Sequence, residues 1–179
     1  MNTPPNDPMD TAVRYHAAGR LSEAEAIYRR ILAANPDHAT ALHLLGVLSH
    51  QTGDNDGAAT LITKALEIEP DFAEAHSNLG LVHEALQRFE AAAVSYQKAL
   101  TIDPNLAYAH SNLGNVLKEL GQLEDAVESY RKALAIDRDF PEAHANLGIA
   151  LQQLGRLDES EASYAQAIAL KPDYAEAHN

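Results

Sequence analysis

Residues 73–80 read Ala-Glu-Ala-His-Ser-Asn-Leu-Gly, residues 107–114 read Ala-Tyr-Ala-His-Ser-Asn-Leu-Gly, and residues 141–148 read Pro-Glu-Ala-His-Ala-Asn-Leu-Gly. The three stretches stand 34 residues apart, and Leu45-Gly46 sets the same phase one step earlier. A fixed period of this size is the mark of a repeat architecture and takes precedence over any local reading. Pro36, Pro70, Pro104 and Pro172 keep the step, with Arg138 where one proline is missing.

Working outward from the repeat, each unit reads as two helices. Ala75, Leu79, Val82 and Leu86 fall at helical spacing, Gln87-Arg88 interrupts, and Phe89 to Ile102 resumes with Ala92, Tyr96, Ala99 and Leu100. The recurring proline ends the second helix, and the Asp or Asn just after it is expected to open the next. Gly53, Gly121 and Gly155 mark the turn inside three units, as Gly19 does in an incomplete first one. Gly46, Gly80, Gly114 and Gly148 stand inside first helices, where glycine costs roughly 1 kcal/mol relative to alanine. Close approach of a second helix is the expected reason. Ala58, Ala92, Ala126 and Ser160 are the expected neighbours, while the larger Ile62, Tyr96, Tyr130 and Tyr164 are expected in the seam between units.

Composition narrows the function. The 179 residues carry 13 Lys plus Arg against 26 Asp plus Glu, a net charge of −13, with no Cys and no Trp. Disulfides, cysteine zinc sites and thiol nucleophiles are excluded. Nucleic acid and anionic lipid both require clustered Lys and Arg, so neither is an expected partner. The first ten residues hold three prolines and no apolar run, which is not a signal peptide. No stretch is apolar over the roughly 20 residues a bilayer demands, so a cytoplasmic location is expected.

The pattern of Leu-Gly, small Ala, aromatic, Ala and terminal Pro over 34 residues resembles the tetratricopeptide repeat family, across about residues 9–179. The resemblance implies an all-α solenoid of antiparallel helix hairpins, a right-handed superhelix whose first helices line a concave groove. The expected division is a disordered leader over 1–8, a degenerate first repeat or cap over 9–38, and repeats over 39–72, 73–106, 107–140 and 141–174. Residues 175–179 then begin a further, truncated repeat. An uncovered array end exposes its apolar seam, so the chain reads as the N-terminal piece of a longer protein, with end-to-end association around Tyr164 and Ile168.

A column of amides, Asn78, Asn112 and Asn146, runs along the first helices, with Leu44 at its start. A side-chain amide both donates and accepts, so it can hold a peptide backbone without reading side chains. Units stacked roughly 10 Å apart and a chain rising roughly 3.3 Å per residue would bring an asparagine to every third peptide unit. The column is similar to the asparagine ladder of the O-linked N-acetylglucosamine transferases, which holds extended protein substrates. The same amides could instead bond neighbouring helices. Asn115, Ser77, Ser111, Tyr108, Lys118 and Glu84 complete the expected peptide-binding groove.

Other columns read differently. His76, His110, His144 and His178 stand one unit apart, roughly 10 Å, whereas imidazoles sharing a zinc each sit roughly 2 Å from it. No metal or cofactor is expected, and the histidines read as replacements for the family's packing aromatic. Chaperone-binding relatives clamp a terminal carboxylate with two asparagines and several basic residues. Asn115 and Asn146 could supply the amides, but Ser111 and Glu176 stand where basic residues belong. Glu74, Glu84, Glu119, Glu142 and Glu176 against Lys118 tilt the groove toward neutral or basic peptides. No nucleophile elbow or phosphate loop is present, so no catalysis is expected from these residues. Three functions remain: a protein-interaction module holding an extended polypeptide, the substrate-recognition region of a glycosyltransferase with its catalytic domain beyond Asn179, or a self-assembling scaffold.

Overall fold

The computed structural model describes residues 7–171, and these residues form ten helices with no strand among them: α1 (Pro8–Ala17), α2 (Leu21–Ala34), α3 (Ala39–Gln51), α4 (Asn55–Ile68), α5 (Ala73–Ala85), α6 (Phe89–Ile102), α7 (Ala107–Glu119), α8 (Leu123–Ile136), α9 (Pro141–Gln153) and α10 (Leu157–Leu170). The fold class is all-α, as the repeat implies. The chain divides into two compact units, one ending at Leu86 and holding α1–α5, the other starting at Gln87 and holding α6–α10. Helix α1 begins at Pro8, where a proline at the first helical position lacks only an N–H that no helix would use. The Asp7 carboxylate caps it by accepting from Met9 N at 2.9 Å. Pro8 thus belongs to a helix, and the rest of the expected leader, residues 1–6, lies outside the described residues, as do 172–179.

Two local rules build the hairpins. Inside a hairpin the first helix closes on a left-handed residue: Gly121 (φ +73°) donates to Lys118 O at 3.0 Å, and Gln122 N reaches back to Leu117 O at 2.8 Å. After α5 the same role falls to Gln87 at φ +56°, a conformation that a side chain disfavours by roughly 1 kcal/mol. Gln87 is exposed, so little is lost with its side chain. Gln87→Gly is expected to raise stability by about 0.5–1 kcal/mol, read as a higher urea midpoint at unchanged slope. A lower midpoint would show that the side chain contributes a contact.

Between hairpins the second helix ends on an extended residue, as a following proline demands: Glu69 has φ −124°, ψ 85°, and Asp103 has φ −127°, ψ 100°. Asp137 adopts φ −125°, ψ 104° although Arg138 follows it, so the missing proline does not alter the stop. The side chain of that terminal residue holds the turn. Asp103 Oδ1 accepts from Asn105 N at 2.9 Å, and Asp137 Oδ1 accepts from Asp139 N at 3.0 Å. The expectation that Asp or Asn after the proline caps the next helix is corrected here: the capping positions are Phe72, Leu106 and Phe140, without side-chain cap bonds, and the Asp or Asn stands one residue earlier. Phe72 instead packs on the cluster of Ala58, Ile62, Ala75, Leu79 and Val82, where apolar contact replaces a cap worth about 1 kcal/mol.

The helix glycines meet a larger neighbour beside the small one expected. A Cβ at Gly114 would lie 2.6 Å from Tyr130 Cε1, one at Gly148 would lie 2.8 Å from Tyr164 Cε1, and one at Gly46 would lie 2.6 Å from Ile62 Cγ1. The large residue of the second helix therefore lies across the glycine of its own hairpin. The small residues matter through their polar atoms: Ala58 O approaches the Gly46 position to 3.2 Å, and Ser160 Oγ donates to Gly148 O at 2.8 Å. None of the described helices is long and apolar enough to cross a membrane.

Candidate functional site: an amide-lined cleft between α7 and α9

In the second unit, Tyr108, Ser111, Asn112 and Asn115 on α7 meet Asn146 on α9 and the α8–α9 turn around Phe140. Together they line an open cleft of about 450 Å³. Five of the nine expected groove residues therefore share one site. Ser77, Asn78 and Glu84 stand on α5 in the first unit, and Lys118 stands at the C-terminal end of α7, outside the cleft lining.

The amides are partly committed. Asn115 Oδ1 accepts from Tyr130 Oη at 2.8 Å and from Asn146 Nδ2 at 3.0 Å, tying α8 and α9 to α7. Asn146 keeps its own carbonyl oxygen and one N–H, whereas the Asn112 amide has no hydrogen-bond partner among the described residues. Helix-bridging and an open amide thus coexist in one column. In the first unit Asn78 Nδ2 donates to His43 Nε2 at 2.8 Å, bridging α5 to α3. Leu44, at the head of the column, packs against the cluster of Ala12, Ala24, Tyr28, Leu45 and Leu48.

The histidine column serves the loops. Nε2 of His76, His110 and His144 lies 2.8, 3.1 and 3.1 Å from the carbonyl oxygens of Pro70, Pro104 and Arg138, each six residues earlier. A ring N–H donating to that carbonyl satisfies a group that the end of the preceding helix leaves open. Burial pushes the His110 imidazole below its ordinary pKa, opposed by its bond to Pro104 and aided by the Lys132 charge. His178 lies outside the described residues. His50, near the end of α3, bonds Asn55 Oδ1 through Nδ1 at 2.7 Å.

The turn residues of the cleft are what the sequence reading missed. Phe140 sets its ring 5.1 Å from that of Tyr108 at 61°, an edge-to-face contact, and Asp137, Asp139 and Glu142 stand around the pair. A signal was present: Tyr108 is the one aromatic residue in a column that otherwise reads Thr40, Glu74, Glu142 and Glu176.

Antiparallel helix hairpins repeated on a 34-residue step, with glycine under a large second-helix residue, define an α-helical repeat solenoid. Tetratricopeptide repeat models match residues 15–81 and 141–174, and a TPR repeat model matches 85–121 and 114–155. The chain belongs to the tetratricopeptide repeat family. Among solved structures, the crystal structure of MamA is similar with a TM-score of 0.83 at 26% identity, over 94% of this chain and 98% of that one. MamA 41-end from Desulfovibrio magneticus RS-1 reaches 0.83 at 20% identity, over 94% and 95%. YrrB, described as a TPR protein with an unusual peptide-binding site, reaches 0.80 at 22% identity, over 96% and 88%. No curated protein matches the chain.

Proposed function

We propose that the protein is a non-catalytic interaction module that binds an extended, neutral to basic peptide segment of a partner protein along its first helices. The observation that carries this reading is Asn112, an open amide beside the Asn146–Asn115 bond in a cleft roomy enough for a peptide. A rigid amide pair next to a free one suits a backbone, because C=O and N–H recur along any sequence and are met by one donor and one acceptor. The likeness to YrrB, itself described as peptide-binding, supports the class of ligand. The net charge of −13 supports its sign, since like charges at an interface suppress acidic partners.

Random dodecapeptides displayed on phage and panned on the chain provide the test. Selected peptides are expected to be poor in Asp and Glu and to bind by fluorescence anisotropy. Asn112→Ala removes one bond of about 0.5–1.5 kcal/mol and is expected to weaken binding about 3–10-fold at unchanged helicity. The double change of Asn112 and Asn146 to Ala should weaken it further. Failure to select any binder, or unaltered affinity in Asn112→Ala, rejects the amide groove.

A further inference from the structure

A backbone-holding ladder needs no aromatic residue and no acids, yet the cleft has both. Tyr108 is 71% exposed, and its edge contact with Phe140 fixes the ring while leaving it accessible. Around it stand three carboxylates. Asp137 spends one oxygen on the turn, Asp139 has no side-chain partner among the described residues, and Glu142 is met by Lys171 Nζ at 3.5 Å, the long end for an ion pair. Ser111 also lines the cleft, is only 3% exposed as a residue, and has no hydrogen-bond partner for its hydroxyl among the described residues. A hydroxyl open to the cleft in this way can accept from a donor that enters it.

These groups share one complement. A π face attracts a cation laid over it, carboxylates balance its charge, and acceptors spread over several directions call for several N–H donors. A guanidinium offers a planar cation with five N–H groups, whereas an ammonium offers the charge without the stacking plane. We infer that this cleft is a side-chain subsite for an arginine of the bound peptide, an inference that rests on the peptide-groove reading and gives it a residue to recognise. Tyr108 supplies the stacking face, Asp139 and Glu142 the counter-charge, and Ser111 an acceptor.

The test uses Nα-acetyl-arginine methylamide, its lysine counterpart and its citrulline counterpart, which is close in shape but uncharged, titrated into the 179-residue chain and followed by backbone amide NMR. The arginine compound is expected to shift the amides of Tyr108, Ser111, Phe140 and Glu142, and to bind about tenfold more tightly than citrulline and more tightly than lysine. Tyr108→Ala, an exposed change that leaves the hairpin intact, should reduce the arginine compound to the citrulline level. Equal binding of arginine and citrulline, lysine as tight as arginine, shifts centred elsewhere, or no shift at all would each overturn the subsite. The two readings separate cleanly. Dodecapeptide binding that depends on Asn112 but ignores an arginine-to-citrulline exchange keeps the groove and overturns the subsite. An arginine response with binding indifferent to Asn112→Ala keeps the subsite and overturns the amide ladder.

Discussion

Gly114→Ala is expected to destabilise the second unit by about 2 kcal/mol, although alanine is the better helix former by about 1 kcal/mol. The added methyl would meet three atoms of the Tyr130 ring at 2.6, 2.8 and 2.8 Å. That ring cannot move aside. Tyr130 is fully buried, and its hydroxyl is bonded to Asn115 Oδ1 at 2.8 Å, so relief requires α7 and α8 to separate. Separation would also strain the bond from Asn146 to the same oxygen, so the cleft should suffer with the hairpin. A chain of this size should lose roughly 4–8 °C in Tm. The control is a change of sign: in a Tyr130→Ala background the ring is gone, and Gly114→Ala should become neutral or stabilising. Equal destabilisation in both backgrounds would show that the ring is not the cause. A methyl is acceptable where the helices are set for it, since Ala12 holds this register position in α1 and packs in one cluster with Tyr28.

The fold was legible because the period carried it. Leu-Gly at 45, 79, 113 and 147 fixes which face of each first helix meets its partner, and any residue 34 positions on inherits that placement. Helices α5 and α6 occupy Ala73–Ala85 and Phe89–Ile102, close to where the spacing of apolar residues sets them. What the period conceals is the content of a contact. It aligns Gly114 with Tyr130 and with Ala126 equally well, and only the rotamer of a buried ring decides which one lies on the glycine. The cleft shows the same division. Asn112 and Asn146 occupy equivalent positions, yet one amide is open and the other bonded, because Asn115 is a feature of one repeat and has Leu81 and Ile149 as its counterparts. The proposed function rests on those departures. Tyr108 in a mostly acidic column, Asn115 in an apolar one and Phe140 at a capping position coincide only when the α8–α9 turn folds onto α7.

His43 makes the first unit sensitive to acid, and the effect is expected to reach about 3 kcal/mol. The ring is 5% exposed, packs edge-on against Phe72 at 4.7 Å, and accepts from Asn78 Nδ2 through Nε2. Its proton therefore sits on Nδ1, a buried nitrogen without a partner, opposite to the Nε2–H form that His76 uses toward Pro70. Protonating His43 would place two N–H donors in this pocket, one facing the amide donor of Asn78. Burial holds the imidazole down at about 4, against an ordinary value of 6.5, with the Glu74 carboxylate pulling the other way. Between those values the unfolded chain binds a proton that the folded chain refuses. Stability from this group is complete above pH 6.5 and is lost as pH falls toward 4, at about 1.4 kcal/mol per pH unit within the window. Urea unfolding of wild type and His43→Gln at stepped pH isolates it, because carboxylates that titrate in the same range cancel in the difference. The stability gap between the two proteins should shift by about 3 kcal/mol in favour of His43→Gln on going from pH 7 to pH 4. A constant gap would mean that the ring titrates as it does in water and that Asn78 does not hold it neutral.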